Sequence, residues 1–181
     1  MRIFYDTEFL EDGKTIELIS IGMVAEDGRE YYAASRDMPA KRISRHDWLM
    51  KNVWPGLPRL HGDARIHAGR HNPLALDWQS RDLKRRAQIA AEVRGFIQAT
   101  PDVELWAWYG AYDHVVLCQL WGAMVDLPDG VPMYTNDLKQ ECDRLGNPAM
   151  PEQAAGLHNA LADARHVRVM ADFLAGREVE R

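Results

Sequence analysis

The sequence predicts an α/β fold: a five-stranded mixed sheet, built from a three-strand antiparallel meander plus two parallel strands and flanked by helices. Three observations lead there. Apolar runs separated by tight-turn signals occupy roughly the first 35 residues, and helical periodicity alternates with short apolar runs after about residue 80. The length of 181 residues with 46% hydrophobic content suffices for one compact core.

Met1 to Phe9 reads MRIFYDTEF. Ile3, Phe4 and Tyr5 favour a strand, whose period of two sets Asp6 and Glu8 on one face. Like charges placed that way repel. Either a divalent metal lies between them, or the strand frays at Asp6 and both carboxylates point into water. Glu11-Asp12-Gly13-Lys14 turns the chain into a second strand from Ile16 to Val24, and Asp27-Gly28 is the hairpin signal for a third beginning at Tyr31.

From Ser35 to about Ser80 the periodicity weakens among Trp48, Trp54, Trp78, four prolines and four histidines. A short helix over His46 to Asn52 and then a long loop are expected there. His67 and His71 have the spacing of metal ligands on a helix, but Gly69 lies between them and no third ligand is evident, so solvent-facing or RNA-facing histidines compete with zinc. Leu83, Ala87, Ala90, Val93 and Ile97 predict a helix from about Ser80 to Ala99, closed by Pro101. Val103 to Tyr109 reads as a fourth strand. After Gly110 comes a helix with Leu117, Leu120, Trp121 and Met124 inward, then a short fifth strand over Met133 to Asn136 with Asp137 as helix N-cap. A final helix starts near Asn159 and turns Leu161, Val167, Met170 and Leu174 to the core. With the fourth strand lying parallel beside the first, the residues that follow it arrive next to Asp6 and Glu8.

Composition narrows the function. A single domain over residues 1–181 is expected, in a soluble cytoplasmic protein without a membrane span or a basic-then-apolar leader. Cys118 and Cys142 are too few and too scattered for a disulfide framework or a cysteine zinc site, and Cys118 reads as a small core residue. The net charge of -5 excludes a general nucleic-acid coat protein. That average conceals a split: Lys41 to Arg86 holds eleven Lys or Arg against four Asp or Glu, a local +7 that leaves -12 elsewhere. A basic segment of about residues 35–80, carrying Trp and His, therefore faces an acidic body, which suits bases that hold a phosphate chain and acids that hold metal. Solvated helix faces are the alternative for any one of these charges.

Three further residues complete a constellation. Asp113 falls in the first turn of its helix, where a carboxylate also favours the helix dipole. Asp163 flanks the stripe of Val167 and Met170, where an unpaired charge is costly, and Arg165 and Arg168 project elsewhere on the helix. It needs a cation from outside. His158 precedes it by five residues, about 140° around an ideal helix, so the two cannot face together unless His158 belongs to the loop loosened by Gly156. A loop His beside carboxylates can enter and leave as a general base, although an exposed loop His is common without one.

DTE at Asp6 to Glu8, YDHVVL around Asp113 and HNALADA from His158 to Ala164 resemble, in order and spacing, the motifs of the DEDDh 3'-5' exonucleases. This is the ribonuclease H-like group containing ribonuclease T, oligoribonuclease and the proofreading exonucleases. Length and the tryptophan-bearing basic middle are most similar to its small actinobacterial polyadenylate-specific exoribonucleases. The resemblance implies a ribonuclease H-like fold and two Mg2+ ions, replaceable by Mn2+, held by Asp6, Glu8, Asp113 and Asp163. His158 would act as general base in releasing nucleoside 5'-monophosphates from RNA 3' ends. It also implies a homodimer, and Thr7, Phe9, Leu10, Tyr109 and Tyr112 as contacts for the terminal nucleotide. Tyr109 stands where the family often has Asn, and Phe9 where many members carry a small hydroxyl residue. Aromatic residues beside the acids suit base stacking, though such residues are as often core. A DNA 3' exonuclease and a non-catalytic nucleic-acid-binding module are the competing readings, and no residue evidently reads a 2'-hydroxyl.

Overall fold

The structure is a computed structural model that describes residues 1–66 and 71–179, so His67 of the expected histidine pair lies outside the described residues. In chain order the sheet and helix elements are β1 (Arg2–Glu11), β2 (Ile16–Ala25), β3 (Glu30–Ser35), α1 (Ala40–Ile43), α2 (Asp47–Asn52), α3 (Asp63–Ile66), β4 (Leu83–Lys84), α4 (Arg86–Gln98), β5 (Glu104–Ala107), α5 (Ala111–Cys118), β6 (Asn136–Asp137), α6 (Leu138–Arg144) and α7 (Ala160–Val179). Six strands form one sheet in the order β4-β3-β2-β1-β5-β6. The antiparallel meander is present, and β5 runs parallel to β1 with β6 parallel to β5, as expected.

The sixth strand is a correction. Leu83 and Lys84 pair in parallel with Ala34 and Ser35, and the carbonyls of Asp82 and Lys84 accept from the N–H groups of Ala34 and Arg36. These residues satisfy the open edge of β3, so the helix expected from Ser80 begins only at Arg86, whose N–H donates to Asp37 at 2.8 Å. Three smaller expectations also shift. Gly122 at φ +104 ends the helical path after the 3-10 turn Gln119–Trp121, which leaves Met124 60% exposed. The last strand lies at Asn136–Asp137 and leaves Met133 and Tyr134 exposed. Cys142 is the core cysteine, while Cys118 is half-buried beside His114.

Three apolar clusters hold the layers. Alternation along β1 sends Ile3 and Tyr5 into a cluster with Ile89, Val93 and Ile97 of α4 and Val116 and Leu117 of α5. Phe4 faces the other way, packing with Leu138 and Cys142 of α6 and Val167, Met170 and Leu174 of α7. The third cluster anchors the middle segment: Leu49, Val53 and Leu57 pack with Leu10, Ile19 and Ala34 from the sheet. At roughly 1.5–3 kcal/mol for each large buried side chain, the segment from α2 onward is part of the fold rather than an appended loop. No helix among the described residues is long and apolar enough to cross a membrane.

Candidate active site

The even positions of β1 that bury Phe4 under α7 also direct Asp6 and Glu8 toward that helix. Gly22 stands directly opposite Asp6 on β2, and a Cβ there would lie 2.3 Å from Ala160 C and O and from Leu161 N. Bare backbone at Gly22 is therefore what lets the start of α7 descend onto the sheet. That descent brings Asp163 to Glu8. Ligand atoms of Glu8, His158 and Asp163 all lie within 4.8 Å of one another.

His158 is in the loop, as the helical geometry requires, and its backbone is left-handed at φ +62 two residues after Gly156 at φ +78. The Asn159 side chain caps α7 by accepting from Ala162 N at 3.1 Å. Asp163 accepts from Gln153 Nε2 at 2.6 Å, and the His158 backbone N–H also donates to it. Arg165 pairs with Glu30, and Arg168 donates to the carbonyls of Ala25 and Glu26. Neither arginine neutralises Asp163.

Asp113 reaches across to β1 from the first turn of α5. Its Oδ1 accepts from Thr7 N at 2.8 Å and Thr7 Oγ1 at 2.7 Å, which locks the third acid to the strand that bears the first two. Serving the helix dipole is compatible with this but does not account for it.

All four carboxyls are pushed above the usual carboxylate range. Burial is the largest cause for Asp6, followed by Asp113, Glu8 and Asp163. Glu8 is pushed up to about 8 by burial and then by Asp163 and Asp113. Burial raises Asp113 against the Thr7 hydrogen bonds, and raises Asp163 against its bonds from Gln153 and His158. Asp6 and Glu8, each raised by neighbouring acids of the cluster, lie with the buried Asp113 and Asp163 in an oxygen donor set whose chemistry a hard divalent cation fits. A cleft of about 390 Å³ opens on this cluster, lined by Asp6, His158 and Asp163 together with Trp108, Leu157 and Met170.

No family model matches the chain. A 3'-5' exoribonuclease of Mycobacterium tuberculosis is 48% identical over 167 residues, covering 91% of this chain and 88% of the relative. The same figures hold for the CDC 1551 / Oshkosh and the H37Rv strain proteins. The chain belongs to this 3'-5' exoribonuclease family. The resemblance to 3'-5' exoribonucleases read in these motifs is thus borne out. Among solved structures, the Mg2+- and Mn2+-bound form of S. pombe Pop2p is 15% identical with a TM-score of 0.47, covering 98% of this chain and 82% of that chain. The nuclease domain of 3'hExo, a DEDDh family member bound to rAMP, is 14% identical with a TM-score of 0.49, covering 97% and 92%.

The residues expected at the terminal nucleotide of the exoribonuclease are placed unequally. Phe9 and Tyr112 stack with ring centroids 5.9 Å apart and 12° between planes, and Tyr112 is 57% exposed. Tyr109 is exposed beside them in sequence, at φ +55, a region that Asn visits readily and Tyr seldom does. Leu10 corrects the expectation: it is buried with Ile19 and Leu49 and has no face for a base. Thr7 is also buried, with its hydroxyl committed to Asp113. Two residues at the site had no signal in the sequence. Gln153 sits in the aperiodic stretch around Pro151, and Trp48 meets the His158 ring edge to face at 4.8 Å from over a hundred residues away.

Proposed function

We propose that the chain is a two-metal-ion 3'-5' exoribonuclease that hydrolyses the 3'-terminal phosphodiester of single-stranded or short RNA and releases nucleoside 5'-monophosphates. Its single exonuclease domain spans residues 1–181. The convergence of Glu8, His158 and Asp163 from a strand, a loop and a helix carries this reading within an exoribonuclease family. Asp6, Glu8, Asp113 and Asp163 would hold two Mg2+ ions, with Mn2+ as substitute. When bound, such a pair stabilises the attacking and the leaving oxygen of an in-line displacement.

The protein's own groups do the rest. Thr7 fixes Asp113, and Gln153 with the His158 N–H fixes Asp163, so the carboxylates are oriented before any cation arrives. His158 takes the proton of the attacking water at an imidazole nitrogen, and its loop position lets it do so without belonging to the helix that carries Asp163. The Phe9–Tyr112 stack, with Tyr109, supports the terminal base. The family resemblance also supports a homodimer in the cytoplasm, and sedimentation equilibrium would read the dimer directly.

Matched RNA and DNA oligonucleotides labelled at the 5' end, incubated with Mg2+, Mn2+ or EDTA, test the proposal. A ladder shortening from the 3' end of RNA with either cation, and none in EDTA, is expected. DNA shortened as fast as RNA would transfer the reading to a DNA exonuclease, and two intact substrates would leave only a binding module.

A further inference from the structure

The segment from α2 to α3 carries charge that the hydrolytic centre does not use. Arg59 and Arg65 each place a guanidinium 4.5 Å from the centroid of Trp54, so one indole holds two cations at fixed positions. Arg45 and Lys51 are exposed, with no ion-pair partner among the described residues, unlike Arg42, which pairs with Asp12 and Glu17. Trp48 is 49% exposed although its ring meets His158.

This arm is joined rigidly to the His158 loop. Gly56 O accepts from Asn159 Nδ2 at 3.3 Å and from Tyr32 OH at 3.4 Å, and Trp54 Nε1 donates to Leu74 O at 2.7 Å. Arg59 Nε returns to Pro55 O at 3.3 Å, within the same turn. From His158 outward the chain therefore presents an exposed indole, then a turn, then an arginine pair stacked on a second indole.

Resting on the exoribonuclease reading, we propose that this arm is the track for the RNA strand on the 5' side of the scissile phosphate. The acids have two flanks. One, at Phe9, Tyr109 and Tyr112, carries an exposed aromatic stack and suits the single terminal nucleotide. The other, at His158, opens onto the arm, where the remaining strand has phosphates to neutralise and the rest of the protein, at -12, repels them. Trp48 would stack the nucleotide next to the cleavage point, and Arg59 and Arg65 would take the phosphates beyond. Stacking plus backbone neutralisation is tolerant of sequence, so the track recognises single-stranded RNA by length rather than by base.

The test uses the full chain, a 5'-fluorescein adenosine decamer and the adenosine dinucleotide. Binding of the decamer is read by anisotropy in EDTA over a range of salt, and hydrolysis of both is read with Mg2+. For Arg59→Gln with Arg65→Gln, which keeps side-chain stems on Trp54, decamer affinity should fall about tenfold or more. The slope of log affinity against log salt should lose about 1.4, at about 0.7 per phosphate contact on a single strand. The ratio of decamer to dinucleotide kcat/KM should collapse by at least fivefold. Arg59→Lys with Arg65→Lys should restore the salt slope, and a thermal melt distinguishes loss of contact from loss of fold. An unchanged slope and ratio would overturn the proposal, as would an equal loss on both substrates. A wild-type protein that cleaves the dinucleotide yet binds the decamer no better would sink the track alone; one that neither binds nor cleaves RNA would sink the exoribonuclease reading with it.

Discussion

Replacing Glu8 by Gln should make the metal-free protein more stable and remove its response to divalent cations. The unfolded chain releases the Glu8 proton near its ordinary value of 4.5, whereas the folded protein holds it to about 8. The folded state therefore binds more protons over that window, and stability falls as pH rises from 4.5 toward 8. At 1.36 kcal/mol per pH unit, the penalty reaches about 3 kcal/mol at pH 7 and about 4 kcal/mol at pH 8, and levels off at about 5 kcal/mol at higher pH. Gln cannot ionise and escapes it. For a chain of this size, 1 kcal/mol moves Tm by roughly 2–4 °C, so Glu8→Gln should melt roughly 6–12 °C above wild type at pH 7 in EDTA. The gap should close as pH falls below 4.5, where the wild-type carboxyl is protonated in both states. Added Mg2+ should raise the wild-type Tm and leave the variant nearly still. Scanning calorimetry at several pH values, with and without Mg2+, reads all of this. Equal Tm values at pH 8 in EDTA, or the same Mg2+ response from both proteins, would refute the reasoning.

Asp6→Asn and Asp163→Asn should each abolish RNA hydrolysis while leaving the fold intact or more stable, through relief of carboxylate repulsion, as judged by a cleavage assay beside a thermal melt. Full activity in either would remove it from the cation site. His158→Ala should slow turnover about 10²–10⁴-fold with Mg2+ affinity nearly unchanged, measured by calorimetric titration; lost metal binding would make His158 a ligand rather than a base. Gly22→Ala should cost at least 1–3 kcal/mol and much of the activity, because its methyl meets Ala160 and Leu161 backbone at 2.3 Å and lifts α7 from Glu8. Wild-type activity there would show that α7 does not need to lie so close.

How much of this was legible in the sequence follows from the range of the forces involved. The meander and the parallel placement of β5 rest on local turn chemistry and on chain-crossing rules, both of which a sequence carries. The four acids and His158 were visible because two of them share a strand face, and because the five-residue step from His158 to Asp163 forbids a common helix. What stayed hidden depends on contacts between distant segments. Leu83 is apolar at a helical spacing from Ala87 and Ala90, and only the unpaired edge of β3 makes it a strand residue. Leu10 sits next to the acids in sequence but turns inward to the cluster that anchors the arm. The role of Gly22 and the approach of Trp48 to His158 have no local signature at all, since each exists only where two packed elements meet.

Crystals grown with Mn2+ and measured at its absorption edge would decide whether four side chains from three parts of the chain share bound cations. Anomalous peaks in contact with Asp6, Glu8 and Asp163, and between Asp6 and Asp113, are the expected result. A fully occupied crystal with Mn2+ only at surface carboxylates, and none against Asp6, would contradict it.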